Sequence, residues 1–225
     1  MAEPGAPSGD AAELGPLPAG HHGLSSEQVA ESQRERLLAA VAHVAAARGY
    51  GETTITEIAR TAAVSNRVFY ANFATKEEAC LATFNAIVVH LEELISSAVE
   101  SEPDWPRKTI AALRVTLELF ATEPDLGRLC LIVPLAATPA IGSRFREALS
   151  TALPYLRAGR AARPDAESLP PFTEDGILGG LVTIIARSLR GGSPPLEALL
   201  PDLVEFALSP YLGAQEARRM AERSS

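Results

Sequence analysis

Apolar positions recur with helical spacing along most of the chain. Leu37, Leu38, Val41, Val44 and Ala45 form one stripe, the pattern of a helix that buries one face. This helix is expected to start near Ser26. Ser25 followed by Gln28 has the form of a capping box, and Leu24 against Val29 that of a hydrophobic staple. Gly49 is placed just past its end, where a left-handed residue is favoured. Thr54, with Glu57 three residues on, is the next N-cap, and Ile55, Ile58 and Ala59 then face inward. Ala62-Ala63-Val64 makes a turn. Ser65 caps a short helix whose inner face is Val68, Phe69 and Phe73. Thr75-Lys-Glu-Glu78 opens a long amphipathic helix through Leu81, Phe84, Val88, Leu91 and Ile95 to about Glu100.

Beyond residue 100, Pro and Gly punctuate the chain. Five further helices are expected: Asp104 or Trp105 to Thr122, Pro124 to about Val133, Thr138 to about Arg160, Thr173 to Arg190, and Pro195 to about Gly213. The third of these is expected to bend or break near Pro154. A loop over 161–171 holds Pro164, Pro170 and Pro171. Few segments alternate with period two, and Ala and Leu are strong helix formers. The fold class is therefore all-α. The expected layout is a disordered tail over 1–23, a helix-turn-helix domain over 24–78, a helical domain over 79–213 and a C-terminal tail over 214–225.

Composition narrows the partners and the compartment. Apolar residues make up 47% and aromatics only 5%, so the core is built mostly from Leu, Ala, Val and Ile. A formal charge of −8 argues against a protein that coats nucleic acid over its whole surface. The charge is uneven, however: −5 over residues 1–31, +1 over 32–78 and −4 over 79–225. In so weakly positive a segment the placement of the bases matters more than their number. Cys80 and Cys130 have no Cys or His nearby at metal spacing, and they read as small buried hydrophobes of a reducing cytoplasm. No metal and no cofactor is implied, and His21-His22 reads as part of the tail. No apolar run reaches the roughly 18 residues of a membrane span, and no signal peptide is visible. A cytoplasmic protein without a membrane partner is expected.

Residues 58–76 contain three bases, Arg60, Arg67 and Lys76, and no acid. Two short helices joined by a tight turn, with a small basic face, are a device for entering the DNA major groove. The groove-reading helix spans about 65–73. Ser65 caps it, so Asn66 and Arg67 sit at its N-terminus, the end that points into the groove. Arg pairs bidentately with guanine and Asn with adenine; phosphate contact or solvation is the alternative for both. Tyr70, one turn on, reaches a phosphate oxygen or is a partly buried spacer. Asn72 contacts phosphate or stays solvated. Arg34 and Arg36 reach neighbouring phosphates or lie on a solvated helix face.

The set Arg34-Glu-Arg-Leu-Leu38, Arg48-Gly-Tyr50, Thr53-Thr54, Ile58-Ala59, Val64-Ser65, Phe69-Tyr70, Phe73 and Lys76-Glu77 resembles the DNA-binding domain of TetR-type (TetR/AcrR family) transcriptional repressors over residues 32 to about 90. The resemblance implies that Thr54 and Lys76 bind backbone phosphate, which positions the domain without reading sequence. It also implies a C-terminal helical bundle that dimerises and holds a ligand. Two departures stand out. Ala63 occupies a turn position where the family often has Gly, and a left-handed Ala costs about 1 kcal/mol. Ala71-Asn72 replaces a common His-His or Tyr-His.

The last two expected helices carry Ile177, Leu178, Leu181, Ile184 and Ile185, then Leu199, Leu200, Leu203, Val204, Phe206, Ala207 and Leu208. These stripes are wider than one intramolecular contact needs. Gly179-Gly180 lies inside the first, at a cost of about 1 kcal/mol per Gly relative to Ala, which close helix approach would account for. By resemblance these helices dimerise, through Ile177, Gly179, Gly180, Leu181, Ile184, Leu203, Phe206 and Ala207; ordinary core is the alternative. A pocket would lie among the middle helices, lined by Phe84, Val88, Leu91, Phe120, Leu129, Val133, Phe145 and Leu149, with His90 or Cys130 as polar points. It would suit an apolar effector. The expected function is a dimeric transcriptional regulator, a repressor released by a small ligand from a near-palindromic operator in double-stranded DNA. The alternative is a ligand-sensing or protein-interaction adaptor on the same fold with weak or lost DNA binding. The chain holds no nucleophile elbow, phosphate-cradling Gly loop, paired metal carboxylates or His-based triad, so an enzyme is not expected.

Overall fold

Local capping chemistry places the first four helices. The structure, a computed structural model, describes residues 25–163 and 168–224. The tail expected over 1–23, its His21-His22 pair, the staple partner Leu24 and Pro164 lie outside the described residues. Gln28 N–H donates to Ser25 Oγ at 3.1 Å and Ser25 N–H to Gln28 Oε1 at 2.8 Å, which completes the capping box. It opens α1 (Ser26–Glu52), whose helical geometry breaks at Gly49, φ +78°. Helices α2 (Ile55–Thr61), α3 (Asn66–Asn72) and α4 (Lys76–Glu100) start from Thr54, Ser65 and Thr75. Each cap side chain accepts a backbone N–H three residues on. Such a cap contributes about 1 kcal/mol to its helix.

The larger C-terminal part continues in the same style. Asp104 caps α5 (Trp105–Thr122), and α6 (Pro124–Leu131) follows at once. A 3-10 turn at Val133–Ala136 leads to α7 (Pro139–Ser150) and α8 (Leu153–Arg157), then to a 3-10 turn at Ala158–Ala162. The chain ends in α9 (Thr173–Leu189), a 3-10 turn at Leu196–Ala198, α10 (Leu200–Leu212) and α11 (Ala214–Arg223). Every regular element among the described residues is helical. Pro154 explains why the expected helix from Thr138 to Arg160 is two helices. It has no N–H to donate to the carbonyl of Ser150, and α7 ends at Ser150.

The tail expected over 214–225 is corrected. Gly213 at φ +80° reverses the chain, and α11 packs back on α10 with Ala217 and Ala221 buried. Arg218 pairs with Glu205 of α10 at 3.0 Å, and Arg114 Nη2 donates to the carbonyl of Ser224 at 2.7 Å.

One continuous core runs through the molecule. In the N-terminal part it holds Leu37, Val41, Ile58, Phe69 and Phe73, and in the larger part Phe84, Phe120, Leu129, Ile141, Leu203 and Leu208. Burying a side chain such as Phe69 contributes about 1.5–3 kcal/mol. Among the described helices α4 alone is long and apolar enough, by length and composition, to cross a membrane. Here it packs against α1, α5, α6 and α7, with Cys80, Phe84 and Ile87 buried.

A polar clamp closes one corner of the bundle. Glu174, with no exposure, accepts from Arg160 Nε at 2.7 Å and Nη2 at 3.0 Å, and from Tyr211 Oη at 3.2 Å. Tyr211 stands edge-on to Trp105 at 4.9 Å, and Trp105 Nε1 donates to the carbonyl of Tyr155 at 2.7 Å. Gly159 makes room for the indole, since a Cβ there would fall within 2.4 Å of it. The Arg160 guanidinium holds the Glu174 carboxyl below its ordinary range.

Candidate nucleic-acid interface and effector region

Helix α3, expected to read the groove, is held from both sides. Ala63 turns the chain between α2 and α3 at φ +53°, in the left-handed region where a Cβ is unfavourable. Ala63 N–H returns to Arg60 O at 3.1 Å and Val64 N–H to Ala59 O at 2.9 Å, which satisfies carbonyls at the end of α2. Ser65 Oγ accepts Val68 N–H at 3.3 Å. Asn66 Nδ2 donates to Thr56 Oγ1 at 3.3 Å and ties the start of α3 to α2. Phe69 and Phe73 are buried beneath it, with ring centroids 5.7 Å apart.

The outward face then carries Arg67 and Tyr70. Arg67 is exposed and has no ion-pair partner among the described residues, and Tyr70 is 58% exposed. Thr54 caps α2 close by. Glu57, in the first turn of α2, is paired with Arg48 at 2.8 Å. Arg36 is exposed and donates to Ser32 O, while Arg34 lies over the Phe73 ring at 4.8 Å. Asn72 is half-buried and donates to Val68 O at 2.9 Å.

Lys76 departs from its expected place. Its ammonium donates to the carbonyls of Tyr50 at 2.8 Å, Gly51 at 3.4 Å and Thr53 at 2.8 Å, and sits 4.3 Å from the Tyr50 ring centroid. The break at Gly49 leaves carbonyls at the end of α1 short of donors, and a helix end of this polarity attracts a cation. All three ammonium donors are thus taken. Lys76 is corrected from a phosphate clamp to an internal cap. Sequence reasoning also missed Thr56, whose partner Asn66 lies across the turn and carries no local signal.

The expected effector residues are mostly closed core. Phe84, Phe120, Leu129, Cys130, Val133 and Phe145 are buried in the single core cluster, with Val88, Leu91 and Leu149 half-buried against it. His90 is exposed on the outer side of α4 and is corrected to a surface residue. Burial pushes the Cys130 thiol up to about 12 and the Cys80 thiol up to about 11, so both stay protonated and apolar in character. Open grooves lie elsewhere, along α5. One of about 390 Å³ is bordered by Arg114, Leu117, Glu118, Ala121, Glu197 and Leu200. A second of about 680 Å³ extends toward α11. None of the expected pocket residues borders either.

The expected interface residues divide in two. Ile177, Leu181, Leu203 and Ala207 are buried within the protomer and are corrected to core. Gly179 opens to space, Ile184 is half-buried and Phe206 is 41% exposed. Gly180 serves the protomer itself: a Cβ there would fall 2.6 Å from the Phe206 ring.

The described residues form an all-helical fold with a capped, outward-facing helix-turn-helix, the arrangement by which DNA-binding regulators enter the major groove. Over its N-terminal part the chain is similar to the TetR type. Residues 37–82 match the model of bacterial regulatory proteins of the tetR family. No curated protein matches the sequence. Solved structures share the fold at low identity. The fatty acid degradation regulator FadR from Bacillus halodurans is 18% identical over 77% of this chain and 97% of its own, with a TM-score of 0.69. FadR from Bacillus subtilis, in complex with stearoyl-CoA, is 16% identical over 78% and 97%, with a TM-score of 0.65. A TetR family transcription regulator from Marinobacter aquaeolei VT8 is 19% identical over 88% and 97%, with a TM-score of 0.62.

Proposed function

We propose that the chain is a cytoplasmic, homodimeric transcriptional repressor, released from a near-palindromic operator by a small apolar effector. The observation that carries DNA binding is the free presentation of Arg67 and Tyr70 on a helix fixed by Ser65, Asn66, Phe69 and Phe73. Arg67 reads a base, and Tyr70, Thr54 and Arg36 bind phosphate. Asn66 and Asn72 turn to DNA only by giving up their present hydrogen bonds.

Dimerisation is supported by the outer face of α9. Gly176, Gly179 and Thr183 form an exposed strip of small residues, flanked by exposed Asp175 and Arg187. Asp175 and Arg187 lie six residues on either side of Leu181, and neither has an ion-pair partner among the described residues. A two-fold axis beside Leu181 sets antiparallel α9 helices together. Asp175 then faces the partner's Arg187, and Gly179 the partner's Thr183, a self-complementary arrangement. Phe206, exposed beside this strip, adds apolar area.

The effector reading rests on the apolar centre of the C-terminal part and on fold neighbours named for fatty acid regulation, one of them holding stearoyl-CoA. Because Phe84, Phe120 and Phe145 are closed core, an effector has to part α4 from α5 and α7. It acts by favouring that opened state.

A gel-shift at low salt with DNA from upstream of the protein's own gene tests the reading. A retarded band is expected, weakened by about 10- to 100-fold on Arg67→Ala. Added stearoyl-CoA should release it if the effector is an acyl compound. No band even at low salt, where phosphate contacts are strongest, leaves the adaptor reading.

A further inference from the structure

Two polar side chains open α3, and their surroundings differ. Arg67 is exposed and has no ion-pair or hydrogen-bond partner among the described residues. Asn66 is exposed as well, but its Nδ2 donates to Thr56 Oγ1 at 3.3 Å. Thr56 is the second residue of α2 and is itself exposed. The bond between them has no capping role. Thr54 Oγ1 accepts Glu57 N–H at the start of α2, and Ser65 Oγ accepts Val68 N–H at the start of α3. Thr56 is not in the core, and its side chain is assigned no contact with DNA.

The direction of the tie matters. In a helix-turn-helix the second helix enters the major groove, while the first crosses the phosphate backbone. A carboxamide on the first residue of α3 that is drawn toward α2 is therefore drawn back from the base edges. Reading adenine takes both Nδ2 and Oδ1 at the edge of one base. While Nδ2 is engaged at Thr56, Asn66 presents that edge in only a fraction of its conformations. The apparent strength of the contact falls by that fraction. Arg67 starts unengaged and bears no such loss.

We infer that Thr56 is a positioning residue that sets base specificity by competing with DNA for Asn66: it keeps the base pair facing Asn66 permissive, while the one facing Arg67 is read strictly. This rests on the operator-binding reading above. Opposite adenine, Asn66 leaves Thr56 and loses that hydrogen bond; opposite any other base it stays where it is. The margin in favour of adenine is thus smaller by the worth of one hydrogen bond, about fivefold in an equilibrium constant. A bidentate pair with adenine is worth more than that, so the preference is reduced rather than abolished.

The test uses the full chain and half-sites selected from a random duplex library, followed by competition binding with single-base changes. Arg67→Ala marks the position that Arg67 reads, and the position of interest adjoins it. Thr56→Val removes the acceptor and keeps the branched shape. It should raise the adenine preference at that position by about fivefold, with the position read by Arg67 unchanged. Thr56→Ser keeps the hydroxyl and should keep the wild-type profile. Thr56→Val with Asn66→Ala should show no gain, because the effect passes through Asn66. A purely structural role for Thr56 would move the thermal midpoint and leave the base profile alone. Thr56→Ala removes the same acceptor and decides the matter if Thr56→Val does not fold. An unchanged or weaker adenine preference in the folded variant overturns the inference and leaves the DNA-binding reading intact, as does a gain that persists without Asn66. Absence of saturable binding by the wild type overturns both.

Discussion

Ala63, at φ +53°, holds the turn of the helix-turn-helix in a conformation that Gly adopts without crowding. Ala63→Gly is expected to leave the thermal midpoint unchanged or to raise it by about 2–4 °C. A clear drop in a melting curve would refute the left-handed assignment. Lys76 gives a sharper test. Lys76→Met removes the donor from three carbonyls and should cost about 1–3 kcal/mol, read as a lower midpoint. A phosphate clamp would behave otherwise, leaving the midpoint in place and reducing the salt slope of DNA binding by about one. The caps at Ser25, Thr54, Ser65 and Thr75 were legible in the sequence because a cap meets its acceptor or donor three residues away. Lys76 was not, because the carbonyls it binds lie 23 to 26 residues earlier and become acceptors only where α1 breaks.

Elements joined by long-range polar contacts carry the next expectation. The Glu174 carboxyl is held below its ordinary range first by its hydrogen bonds from Arg160, against desolvation that pushes it up. A depressed carboxylate contributes stability that is fully present above its unfolded value of about 4.3 and is lost as pH falls through the folded value. Glu174→Gln should therefore lower the midpoint at neutral pH by about 5 °C or more. It should also flatten the acid limb of a midpoint-against-pH curve below about pH 4, relative to the wild type. An acid limb as steep as the wild type's would show that other carboxylates dominate. Neither this clamp nor α11 was legible beforehand. Arg160 and Glu174 flank a proline-rich stretch that reads as loop, and the buried stripe of α11 is made of alanines on an otherwise polar helix, a weak periodic signal. The break at Pro154 was legible, since a missing N–H acts locally.

For the whole molecule, the self-complementary strip on α9 sets the expectation for assembly. Asp175→Arg and Arg187→Asp should each shift a sedimentation profile toward monomer, and the double variant should restore the dimer. Failure of the double to recover would move the axis elsewhere. Fold class and the helix-turn-helix end were legible because helix periodicity, caps and turn chemistry coincide over residues 54–76. The division of the C-terminal apolar residues into core, interface and effector site was not, because all three use the same spacing. One further consequence lies in Trp105, the single tryptophan of the chain, wedged against Gly159 and Tyr211. Its emission watches the corner where α5, α8 and α10 meet and is blind to the groove-reading end. Fluorescence and ellipticity melts coincide only if both ends of the molecule unfold as one; an earlier loss of ellipticity would mark a reader that melts while the assembly platform still stands.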